Sequence, residues 1–64
     1  MGKRIRELRK GQGLSQDQLA YEVGIRREQV IRIEAGTQST GIDILKNLAE
    51  AFGLQLAELF KFDY

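Results

Sequence analysis

The strongest constraint on this chain is a single glycine standing between two helical patterns. From Gln16 to Val23, and again from Arg27 to Ala35, apolar residues recur at helical rather than strand spacing, with Gly24 in the gap. Glycine takes a positive φ at no steric cost, so the chain turns sharply there without a long loop. Ala20 falls where the first of these helices would touch the second, and its small side chain lets the two axes approach. Ile25, Val30 and Ile33 then place apolar groups on the inner side of the second. Two helices crossing steeply through a turn of a few residues form a recognised supersecondary unit.

The rest of the chain reads as support for that pair. Ile5 and Leu8 make a buried i, i+3 pair in a first helix that ends at Gly11 and Gly13. Ser15 is a good N-cap, Gln18 stands three residues on to close a capping box, and Leu14 with Leu19 has the spacing of a hydrophobic staple. Gly36 ends the third helix, and Thr37 to Thr40 is a polar loop. Thr40 with Asp43 resembles another capping pair. The fourth helix presents Ile42, Leu45, Leu48, Ala49 and Phe52 at helical spacing and stops at Gly53. Leu54, Leu56, Leu59 and Phe60 form a short fifth helix that closes the core. The expected class is all-α: one domain over residues 1–64, with helices at about 3–11, 15–23, 26–35, 41–52 and 56–60.

Composition narrows the function. The 64 residues contain no cysteine and no histidine, so neither a disulfide nor the usual zinc ligands are available, and no cofactor is expected. A chain this size buries only about 60% of its unfolded surface, so its stability should be modest. No apolar run approaches the roughly 18 to 20 residues that span a bilayer. The start, Met1-Gly2-Lys3-Arg4, lacks the apolar core of a signal peptide, and Arg6 replaces the Ser or Thr of a myristoylation signal. A cytoplasmic protein is expected. Catalytic signatures are missing too, with no phosphate-cradling glycine loop and no recognisable carboxylate pair, so an enzyme is not expected. Net charge is only +1, but residues 1–36 carry +3 and residues 37–64 carry −2. That asymmetry turns the N-terminal half towards a polyanion.

A 100° wheel of the third helix sets Val30, Ile33 and Glu34 towards the core. Glu28 and Arg32 fall opposite, with Arg27 and Ile31 on one flank and Gln29 on the other. Arg32 has the chemistry for a bidentate contact to guanine O6 and N7. Glu28 either accepts from cytosine N4 or holds Arg32 as its i, i+4 partner. Arg27 lies where it reaches either a base or a phosphate. Tyr21 and Ile31 should be exposed.

Leu14-Ser15-Gln16, Leu19-Ala20, Gly24, Val30, Ile33-Glu34, Gly36 and the Leu48-Ala49 to Gly53 helix end together resemble the lambda repressor and Cro-type helix-turn-helix family over roughly Ile5 to Phe60. The resemblance implies a compact five-helix DNA-binding domain whose third helix enters the major groove. It implies that Gln16 contacts a phosphate and braces that helix, with Ser15 a weaker candidate. It also implies that Arg9 and Glu34 form a buried ion pair between the first and third helices. Arg26 departs from the Ser or Thr usual at the N-cap, leaving the free amides of that helix for a phosphate and adding a charge of its own. The loop that often carries Lys or Arg is here Thr37-Gln38-Ser39, so backbone contacts would lean on hydroxyl and amide donors.

The implied function is sequence-specific binding of double-stranded DNA as a transcriptional regulator, a homodimer on a palindromic operator. The alternative is an antitoxin or protein-interaction module that uses an apolar C-terminal face for a toxin or an effector domain. Leu56, Phe60, Phe62 and Tyr64 are the candidates for a dimer or partner surface. Phe60-Lys-Phe-Asp-Tyr64 alternates with period two, as an edge strand or a docking surface would.

Overall fold

The structure is a computed structural model that describes residues 2–59. It contains α1 (Gly2–Gly11), α2 (Gln16–Val23), α3 (Arg27–Ala35), α4 (Ile42–Ala51) and α5 (Leu56–Leu59), with no strand among the described residues. This is the all-α architecture expected. Phe60, Phe62 and Tyr64 lie outside the described residues.

The helix starts follow local chemistry. Ser15 Oγ accepts from the Gln18 amide at 3.0 Å, and Gln18 Oε1 accepts from the Ser15 amide at 2.7 Å, a complete capping box for α2. Gly24 (φ 80°) and Gly36 (φ 73°) close α2 and α3 in the left-handed region, where a side chain would be strained. The fifth helix solves its start differently. The Gln55 side chain accepts no cap bond among the described residues, but Glu58 Oε1 reaches back to accept from the Gln55 amide at 2.9 Å.

Two expectations for α4 fail. The helix starts from Gly41, which makes no side-chain cap bond, so Thr40 and Asp43 do not form a capping pair. Asp43 falls within the first turn instead, where its charge suits the helix dipole. Ile42 is 53% exposed. On a 100° wheel it lies about 70° away from the mean direction of Leu45, Leu48, Ala49 and Phe52, at the margin of the buried stripe.

The core is built from every helix. Ile5, Leu19, Val30, Leu48 and Leu59 are its largest fully buried side chains, with Ala20, Val23, Ile33, Leu45, Ala49 and Phe52 around them. Burial of each of the larger aliphatic groups stabilises the fold by roughly 1.5–3 kcal/mol. Helix α3 packs on both α1 and α2, α2 packs on α4, and α4 carries α5. The inner face of α3 is thereby saturated. Gln12 in the α1–α2 connection also donates to the Phe52 carbonyl at 3.0 Å, tying that connection to the end of α4.

Gly2 marks an approach that periodicity could not reveal. It is buried, and a Cβ there would stand 2.4 Å from the Glu34 carbonyl oxygen and 2.6 Å from that of Ile33. The start of α1 thus rests directly on the last carbonyls of α3, positive end to negative end. Gly2→Ala should force the two helices apart and destabilise the protein by about 1–3 kcal/mol, read as a lower urea midpoint at unchanged slope.

Candidate nucleic-acid interface

The outward face of α3 is held from behind by one carboxylate. Glu34, 5% exposed, accepts from Arg9 Nε at 2.6 Å and from Arg9 Nη2 at 3.1 Å, and Arg9 itself is 8% exposed. Gln16 Nε2 donates to the same carboxylate at 3.3 Å, and Arg6 Nε lies 3.6 Å from it. Arg9 Nη1 also donates to the Leu14 carbonyl at 2.9 Å, just before the α2 cap. One buried anion therefore ties α1, the start of α2 and the end of α3 together. Arg6 was not expected in this cluster, although its position one helical turn before Arg9 puts it on the same face.

Burial pushes the Glu34 carboxyl up. The hydrogen bonds from Arg9 and Gln16 and the charges of Arg9 and Arg6 outweigh that and hold it below its usual value. A depressed folded pKa gives stability that is present above the unfolded value, about 4.3, and lost as pH falls through the folded one. The urea midpoint should therefore drop with acidification below about pH 4.3, and Glu34→Gln should make that drop shallower.

The far side of α3 is open. Arg26, Arg27, Glu28, Ile31 and Arg32 are exposed, whereas Val30, Ile33 and Glu34 are buried. Tyr21 is exposed as well. Arg26, Glu28, Gln29, Arg32 and Gln38 line a shallow depression of about 430 Å³ on this face. Beside it, a polar cleft of about 490 Å³ runs between α1 and the starts of α2 and α3, lined by Arg6, Arg9, Lys10, Ser15, Gln16, Asp17 and Arg27. Except for Thr37, the candidates thus line two concave surfaces, one on the outward side of α3 and one at the α2 N-terminus.

Several of these side chains have prior commitments. Arg27 Nε lies 3.9 Å from Asp17 Oδ1, an exposed pair that steadies the two helix starts only weakly. Glu28 makes no ion pair with Arg32 among the described residues, so Arg32 is not held by its i, i+4 partner. Thr37 Oγ1 donates to the Arg32 carbonyl at 3.3 Å, which spends its proton on the end of α3. Gln29 Oε1 accepts from the Arg26 amide at 3.0 Å. Ser15 accepts within its capping box and keeps its hydroxyl proton free to donate. Leu56 is half-buried against the core.

Two helices joined at a left-handed glycine, the second presenting charged groups outwards, define a helix-turn-helix module. A helix-turn-helix family model matches residues 5–59, and the chain belongs to that family. It is a DNA-binding transcriptional regulator of the Cro/C1 type. An uncharacterised HTH-type transcriptional regulator of Archaeoglobus fulgidus is 36% identical over 63 residues, covering 98% of this chain and 90% of its own length. Control protein C.BamHI of Bacillus amyloliquefaciens is 31% identical over 62 residues, covering 95% and 76%. Among solved structures, the restriction-modification controller protein C.AhdI from Aeromonas hydrophila superposes with a TM-score of 0.89 at 39% identity, over 92% of this chain and 89% of that one. Among the described residues, no helix is long and apolar enough to cross a membrane.

Proposed function

We propose that α3 lies in the major groove of double-stranded DNA and reads an operator through its exposed face. One observation carries the reading: Arg27, Glu28 and Arg32 are all exposed on the helix whose other side is buried against α1 and α2. Arg32 takes guanine O6 and N7, and Glu28, which has no ion-pair partner among the described residues, accepts from cytosine N4. Gln16, Ser15 and the main chain at the start of α2 hold one phosphate. Gln38 adds an amide donor at the edge of the readout face.

A monomer making about four to six phosphate contacts would bind weakly and with steep salt dependence. We therefore take the functional unit to be a homodimer on a palindromic site, with two copies of α3 about 34 Å apart. A selection from random duplex DNA checks both points, since a two-fold symmetric motif supports the readout and the dimer together.

Arg26 is the phosphate anchor of α3. Its guanidinium cannot accept from the helix amides and makes no side-chain cap bond, so charge and amides together face the backbone of the DNA. Arg26→Ser should lower affinity for all sequences alike and reduce the salt slope by about 1. Unchanged affinity and slope would remove this role.

A further inference from the structure

The start of α3 shows how one of its readers is polarised. Arg26 occupies the N-cap, where a hydroxyl or carboxylate would ordinarily serve the first amides, and a guanidinium has no lone pair to offer. Gln29, three residues on, reaches back so that its side-chain oxygen accepts from the Arg26 amide at 3.0 Å. The bond fixes which way the amide group points, because the Arg26 N–H can only be met by oxygen. The Gln29 NH2 is left as the free end. The side chain is half-exposed and lines the outward depression between Arg26, Glu28 and Arg32.

A free glutamine favours adenine because it presents an acceptor and a donor side by side, to N6–H2 and N7. From the geometry at Arg26 we infer that Gln29 reads DNA as a donor alone, selecting guanine or thymine and disfavouring adenine and cytosine at the base it meets. Guanine offers N7 and O6 and thymine offers O4 to such a donor, whereas the cytosine amino group opposes it and adenine offers N7 only beside an opposing amino group. Turning the oxygen towards adenine would leave the N-cap amide of α3 without its side-chain acceptor. The missing cap at Arg26 and the base preference of Gln29 are thus one feature. The inference rests on α3 entering the major groove, as proposed above.

The test is a parallel selection from random duplex DNA with the wild type, Gln29→Ala and Gln29→Glu. The wild type should show one position per half-site with guanine or thymine favoured about tenfold, and Gln29→Ala should reduce that preference to under about twofold. Gln29→Glu keeps an acceptor for the Arg26 amide, so it stays folded, but it exchanges donors for acceptors. At the same position it should turn the preference to cytosine or adenine, the bases with an exposed amino group. Circular dichroism of each variant guards against misfolding, and Gln29→Glu carries the result if Gln29→Ala unfolds.

A wild-type motif with no position altered in Gln29→Glu overturns the inference, as does a position that favours adenine and depends on Gln29. A wild type that selects no motif at all would overturn the sequence-specific reading beneath it. The two failures are thereby distinguishable.

Discussion

Replacing Arg9 with methionine should cost about 3–5 kcal/mol, enough to leave a domain of this size largely unfolded at 37 °C. The effect comes from what remains rather than from what is removed. Glu34 would keep its charge at 5% exposure with only Gln16 at 3.3 Å and Arg6 at 3.6 Å to balance it. The Leu14 carbonyl would lose its side-chain donor as well. Removing the anion together with the cation, in an Arg9→Met and Glu34→Leu double variant, should recover most of the loss, because a buried ion pair gives little net stability over apolar groups of similar volume. Urea denaturation of both single variants and the double variant closes the cycle. A double variant no more stable than Arg9→Met would show that the pair matters for reasons other than the stranded carboxylate.

The second large effect concerns DNA. Arg32→Ala should weaken binding to the selected operator by about 1–3 kcal/mol, roughly fivefold to 150-fold, and flatten the preference at one base pair per half-site. Its affinity for a scrambled duplex should change far less. Arg27→Ala should instead weaken both duplexes together if it holds a phosphate. Both side chains are exposed, so neither change should disturb helicity. The same pair of variants separates DNA recognition from the alternative reading as a protein-interaction module. Binding of a toxin or effector through the C-terminal face would survive both substitutions, and operator binding would not.

What could be read from the sequence was what is local. The Ser15–Gln18 box joins residues three apart, and Gly24 and Gly36 stand where only a left-handed turn continues the chain, so pattern and chemistry agree without tertiary knowledge. The inner face of α3 followed from its 3.6-residue period. The meeting of Arg9 with Glu34 spans 25 residues and was expected from family resemblance, not from spacing. The contact of Gly2 with the end of α3 had no signal at all, since a glycine near a chain start looks the same whether or not a backbone lies against it.

The misses were equally physical. Thr40 and Asp43 have capping spacing, but α4 begins from Gly41, which shifts the frame by one residue. Ile42 fits a helical period yet sits where that face runs out into solvent. Within the readout face, residue types alone marked Gln29 and Thr37 as donors or acceptors. The folded chain has already used the Gln29 oxygen and the Thr37 proton. Sequence therefore named the exposed groups of α3, and the folded structure was needed to say which of their hydrogen-bonding atoms remain available.

If the outward side of α3 is the surface that meets DNA, amide chemical shifts followed during titration with the selected duplex will report it. The largest perturbations should fall on residues 26–32 and on Ser15, Gln16 and Gln38, and should weaken steeply as salt is raised. Perturbations concentrated instead on α4 and α5, with residues 26–32 unmoved, would contradict it.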